Sequence, residues 1–254
     1  MDQHKIEKAA ALLVQARRDM VPLNGLPEAL KPTTVDEGHA IQDATSKGLG
    51  KLIGGFKAMA PPNQQPNRGI IYADTIHASP CDLPAKTVPQ CGVEGEVAFV
   101  FRQNLPDRAV PYSRNEVAAV VDACAAIEIV HSRFDIANPL SNLEKLADSI
   151  MNGGLVCSAT NADWRALNLE TIAVTLSVNG QPIPGKNRGH PLGDPLGVAV
   201  ELANMWRSKG GVRAGQIVTC GSYTGLDYLK PGDTCEVAFE GLGTASVRFT
   251  IQNR

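Results

Sequence analysis

The segment "GVEGEVAFVF" places Glu94 and Glu96 two residues apart in an otherwise apolar run. If the run is a β-strand, both side chains leave it on the same face. A third acid, Glu128, stands between Ile127 and Ile129 in "AAIEIVHSRF". An apolar setting of this kind is usually buried, and an unpaired buried carboxylate is costly. Two bland readings are open for these acids. Glu94 and Glu96 could lie in water on an edge strand, and Glu128 could form an ion pair with Arg133 or Arg102. If the three converge instead, each pair about 5 Å apart repels by roughly 3 kcal/mol at an effective dielectric near 20. At least one would then hold a proton unless a cation sits among them. Three hard oxygen donors suit Mg²⁺ or Mn²⁺ better than zinc and leave coordination positions for water and substrate.

Other polar residues stand where apolar segments end. Lys57 follows "LIGGF", Asp74 lies in "YADT", and Asp148 and Asn152 belong to "LADSIMNGG". Gly153 and Gly154 allow a ligand to approach the backbone closely. Ser222 and Thr224, in "GSYTG", could bind a carboxylate, and turn chemistry explains that stretch nearly as well. His131 follows the third acid closely enough to be a base near the site, a supporting partner or a surface residue.

The elements that must hold these residues can be read from the pattern. A helix is expected over about residues 3–18, and a second from the Thr34/Glu37 capping pattern to Gly48 or Gly50. Strands are expected at 52–57 and 69–73, separated by a polar, Pro-rich loop. "YSRNEVAAVVDACAAIEIV" opens with a Ser113/Glu116 capping box; its helix should carry Val117, Val120, Val121 and Cys124 into the core and lead to a strand at 127–130. Asn179-Gly180 marks a hairpin. Asp194, Pro195 and Gly210 frame another helix, and the C-terminus reads strand, turn, strand. The architecture expected is a small N-terminal helical and β segment, 1–80, followed by a β-rich catalytic domain, 81–254.

The 254 residues, 43% hydrophobic and with a formal net charge of -2, fit a globular chain with no bias toward nucleic acid or an anionic membrane. The N-terminus is too charged for a signal peptide or a membrane span. Six scattered cysteines without a CxxC pair fit free thiols in a cytoplasmic protein. "GLGKLIGG" matches neither dinucleotide nor nucleotide phosphate-binding patterns.

Taken in order, "GGFK", "GIIYADTIHASP", "GVEGEVAFVF", "AIEIVHSRF", "LADSIMNGG", "GHPLGDPLGVAVELANMW" and "AGQIVTCGSYTG" resemble the hydratase/decarboxylase branch of the fumarylacetoacetate hydrolase superfamily. The resemblance implies an α+β fold of the fumarylacetoacetase C-terminal type, a mixed β-roll or sandwich with flanking helices. It implies a divalent metal, Mg²⁺ or Mn²⁺, on Glu94, Glu96 and Glu128. It also implies catalytic roles for Lys57 and Asp74, a small-molecule 2-oxo acid substrate and a homo-oligomer. The activity implied is hydration of a 2-hydroxy-2,4-dienoate or 2-oxo-enoate, of the kind formed when aromatic rings are opened. Decarboxylation of a 4-oxalocrotonate-type acid is the alternative, followed by C–C hydrolysis, tautomerisation or a non-enzymatic binding role. The chain departs from the pattern at His131, at Ser149-Ile150-Met151 and after Lys57.

Overall fold

A computed structural model describes residues 1–187 and 189–251. The chain opens with helices α1 (Gln3–Asp19) and α2 (Val35–Leu49). The Asp2 and Thr34 side chains accept hydrogen bonds from the backbone N–H groups of Lys5 and Glu37, satisfying donors that each first turn leaves free. Gly50 ends α2 in the left-handed conformation. Ala9, Leu13 and Ile41 bury a small apolar cluster with Phe134 and Ala147, so the helices are docked on the remainder of the chain.

The β elements follow as β1 (Ile53–Met59), β2 (Asn67–Tyr72), β3 (Ile76–Ala78), β4 (Cys81–Pro84) and β5 (Gly92–Phe101). Then come α3 (Arg114–Ala119), β6 (Val121–Val130), α4 (Asn142–Ala147), β7 (Asn152–Cys157), β8 (Val174–Val178) and β9 (Gln181–Pro182). The last are α5 (Pro195–Trp206), β10 (Ile217–Ser222), β11 (Asp227–Tyr228), β12 (Thr234–Phe239) and β13 (Gly243–Thr250). The larger sheet has the order β2-β1-β10-β5-β6-β7-β3, with β11 added beside β5; the smaller is β4-β13-β12-β8-β9. Pairing is antiparallel except for β1 with β10, β3 with β7 and β4 with β13.

The larger sheet curls until β2 packs against β7, although five strand pairings separate them in the order β2-β1-β10-β5-β6-β7. Alternation along β5 and β6 then gives the sheet two buried faces. Val93, Val97, Phe99, Ile127 and Ile129 face outward into the main core. Ala98, Cys124 and Ala126 face into the roll, where they meet Ile71, Leu155 and Ile217. Gly69 lets the roll close, because a Cβ there would stand 2.3 Å from the Ser149 carbonyl oxygen.

The two N-terminal helices, the Asn179-Gly180 hairpin and the Asp194 cap fall where the sequence places them. β1, β2 and β3, which precede residue 80, are strands of the same sheet as β5 to β7. One expectation is corrected. The helix after Ser113 stops at Ala119, and strand β6 already begins at Val121. Buried on both faces, β6 lacks the polar alternation that distinguishes a strand from a helix in sequence. Ten residues of pairing with β5 decide its conformation.

Candidate metal centre

Glu94 and Glu96 on β5 and Glu128 on β6 point into the roll, and Glu94 is directly opposite Glu128 in the ladder. β5 lies inside the sheet, flanked by β10 and β11 on one side and β6 on the other, so these are not acids of an edge strand. One carboxylate oxygen from each residue lies within 4.8 Å of the others. Glu96 and Glu128 are fully buried, and Glu94 stands at the rim with its side chain 15% exposed. Lys57 enters from β1, with Nζ 2.7 Å from Glu128 Oε2 and 3.1 Å from Glu94 Oε2. Arg133 and Arg102 are engaged elsewhere, on Asp148 and Asp122.

Three carboxylates facing one ammonium leave an excess of negative charge. Burial, the largest cause, raises the proton affinity of Glu96, and Glu94 adds to it against the opposing Lys57 charge and the Gly221 N–H. Glu128 is held well above the usual carboxylate range by burial and by Glu96 and Glu94, with Lys57 opposing. For Lys57, burial works against the ammonium, but Glu128, Glu94 and Glu96 together outweigh it and hold the amine above its usual range.

The donor set fits a hard divalent cation. Glu96 Oε2 accepts from the Gly221 N–H at 2.9 Å, whereas Oε1 is buried with no hydrogen-bond partner among the described residues. An orphaned carboxylate oxygen within a surplus of buried negative charge is what a second positive centre would relieve.

The other expected residues divide into those that support this cluster and those that lie apart. Asn152 Nδ2 donates to Glu128 Oε1 at 3.0 Å, so its amide orients a member of the cluster. Ser222 is the ladder partner of Glu96, and its Oγ accepts from the Gly225 N–H. The buried Thr224 hydroxyl accepts from the Gly95 N–H at 2.9 Å and donates to the Gly225 carbonyl, fixing the backbone between the two glutamates.

Asp148 does not face the cluster as a free acid. Its Oδ1 binds Arg133 Nε at 2.6 Å, its Oδ2 accepts from the Arg133 N–H at 2.8 Å, and Arg17 approaches at 3.3 Å. It anchors the unusual turn that follows, in which Ser149, Ile150 and Met151 all have left-handed φ values of 56°, 53° and 61°. Each such residue costs about 1–2 kcal/mol. Asp74 is not brought into the cluster; its exposed carboxylate pairs with Lys51 at 2.7 Å. His131 lies behind the sheet, beside Arg17 and Arg133.

Thr219 has no sequence signal, since a threonine in "IVTCG" reads as ordinary strand composition. It pairs in register with Lys57 on one side and Ala98 on the other, and its buried hydroxyl has no partner among the described residues.

A rolled mixed sheet with an acid cluster inside it defines a class of fold. The model of the fumarylacetoacetate (FAA) hydrolase C-terminal family matches residues 54–250, and the chain belongs to that family. It is 28% identical to a 2-keto-4-pentenoate hydratase of Paraburkholderia xenovorans (strain LB400), covering 98% of this chain and 96% of that protein. It is also 28% identical to a 2-hydroxyhexa-2,4-dienoate hydratase of Comamonas testosteroni, covering 98% and 99%. Among solved structures, 4-oxalocrotonate decarboxylase from Pseudomonas putida G7, complexed with magnesium and adipate, superimposes with a TM-score of 0.82 at 19% identity, covering 98% of each chain. Fumarylpyruvate hydrolase from Pseudomonas aeruginosa, complexed with Mn²⁺ and pyruvate, gives 0.55 at 15% identity, covering 78% and 89%. No helix among the described residues is long and apolar enough to cross a membrane.

Proposed function

We propose that the chain is a divalent-metal-dependent hydratase acting on a 2-hydroxy-2,4-dienoate or 2-oxo-enoate, with Glu94, Glu96 and Glu128 holding Mg²⁺ or Mn²⁺. The observation that carries this reading is the convergence of three glutamates and Lys57 inside the roll. The names of relatives aligned over nearly the whole chain support the reaction class.

A bound divalent cation would supply Lewis-acid polarisation of the substrate's C2 oxygen. The remaining chemistry falls to the chain. Glu96 and Glu128, locked by Gly221 and Asn152, keep the cluster rigid. Lys57 Nζ is the proton carrier at the cluster. When the charge of the acids is compensated, burial lowers its proton affinity toward the range useful for acid–base work. A proton leaves the 2-hydroxyl and one is added at the far diene carbon, which gives the 2-oxo-3-enoate. Water then adds its hydroxyl at C4 and its hydrogen at C3, giving a 4-hydroxy-2-oxo acid. The apolar interior below the cluster limits competing water.

Decarboxylation of a vinylogous 2-oxo acid needs the same electron sink, so product analysis distinguishes the reactions. Incubation with 2-hydroxypenta-2,4-dienoate and Mg²⁺ or Mn²⁺ is expected to give a product heavier by one water. Two fragments from an acylpyruvate, or loss of carbon dioxide from 4-oxalocrotonate without hydration of the dienoate, would overturn the proposal. The same reading takes the protein to be a cytoplasmic homo-oligomer, and a monomer in light scattering would contradict the assembly.

A further inference from the structure

Behind the sheet that carries the acid cluster lies a second cavity, of about 560 Å³. Glu128 points into the roll, whereas the next residue, Ile129, lines this cavity, so the two sites occupy opposite faces of β6. Its charged lining is mainly cationic: Arg17, Arg18, Lys51 and Arg133, with Asp74 as the one acid among the described lining residues. Asp74 neutralises Lys51, and Asp148, behind the wall, binds Arg133. Arg17 is only partly compensated, its contact with Asp148 being 3.3 Å.

Two nitrogen atoms in the wall have no partner. Arg17 Nε and His131 Nδ1 are both buried without a hydrogen bond among the described residues. Leaving such groups unsatisfied is expensive, and both belong to residues that line the cavity, so this side of its wall is short of acceptors. Leu49, Leu83, Val88 and Ile129 give the wall an apolar stretch, and Tyr72, Thr75, His77 and Thr87 add polar groups beside it. Gly153 lets β7 pack directly against His131, since a Cβ there would stand 2.8 Å from the Cβ of His131.

We infer that this cavity is a second binding site, for an organic carboxylate with an apolar body of several carbons. The carboxylate pairs with the Arg17 guanidinium and faces His131 and Lys51, while the chain lies against Leu83, Val88 and Ile129. The volume falls within the range of small-molecule sites and far exceeds that needed for a simple inorganic anion.

The test is calorimetric titration of the metal-free protein with hexanoate, acetate and inorganic phosphate. Without metal, the acid cluster repels anions, so binding there is suppressed. Hexanoate is expected to bind saturably and more tightly than acetate or phosphate. Arg17→Gln is expected to weaken it about tenfold or more, through loss of a charge-assisted hydrogen bond. Lys51→Gln, at an exposed position that should leave folding intact, is expected to weaken it about threefold by removing a half-screened charge. Glu128→Gln should leave it unchanged. No saturable binding, equal affinity for hexanoate and acetate, or full affinity in both cation variants would overturn the inference. Because metal is absent throughout, the outcome is independent of the proposed hydratase activity.

Discussion

Lys57 Nζ lies 2.7 Å from Glu128 Oε2, so the ammonium of β1 sits among the acids of β5 and β6. It is the cation nearest the space proposed for a metal. Lys57→Met removes that competing charge and leaves the carboxylates in place. The variant is expected to bind Mg²⁺ at least as tightly as the parent and to lose turnover on the order of 10²-fold. Weaker Mg²⁺ binding, or undiminished turnover, would show that Lys57 has another role.

Asn152 fixes Glu128 through one amide hydrogen bond at 3.0 Å. Removal of such a supporting group typically costs about 10–100-fold in metal affinity. Asn152→Ala should show that loss in Mn²⁺ titrations, with the fold intact by circular dichroism. Parental affinity would mean that Lys57 and packing are enough to orient Glu128.

Gly69 faces the Ser149 carbonyl where β2 closes on the left-handed turn. A methyl group there meets backbone, which cannot rotate away. Gly69→Ala is therefore expected to destabilise the protein by about 1–3 kcal/mol. Urea denaturation measures it, and a change near zero would show that the roll can open at no cost.

Two histidines, His39 buried and His131 half-buried, should make the fold acid-sensitive. Burial, then Arg68 and Lys209, lower His39 to about 4, and its Nε2 accepts from the Arg68 N–H, which requires a neutral ring. Burial, then Arg133 and Arg17, lower His131 to about 3. Unfolded imidazoles take up protons near 6.5, so from there down to these lower values the unfolded state binds more protons than the folded one. Stability should fall as pH drops through that window. Folded-state NMR should find neither ring titrating above about pH 5. A His131 titration near its ordinary value would refute the electropositive setting.

The acids of the site were legible because strand periodicity puts Glu94 and Glu96 on one face and because Glu128 is conspicuous among isoleucines. Their convergence with Lys57 was legible only through family resemblance, since β1 and β6 meet by curling of the sheet, which no local pattern encodes. Asp148 and Asp74 show the limit. A carboxylate in a loop looks the same in sequence whether it meets a substrate or an arginine, and here Arg133 and Lys51 take them. The early start of β6 was hidden by its uniform burial, and Thr219 by the commonness of threonine in strands. The second cavity joins α1, the end of β6 and the β7 glycines, which are far apart in the chain.

The central claim is that Glu94, Glu96 and Glu128 together hold a divalent cation. Calorimetric titration of Mg²⁺ and Mn²⁺ into the parent protein and into Glu94→Gln, Glu96→Gln and Glu128→Gln tests it directly. The account predicts one saturable site per chain in the parent, weakened by each substitution, with thermal stability of the metal-free variants equal to or above that of the parent because crowded buried charge is relieved. Equal affinity in all four proteins would place the metal elsewhere and contradict the account.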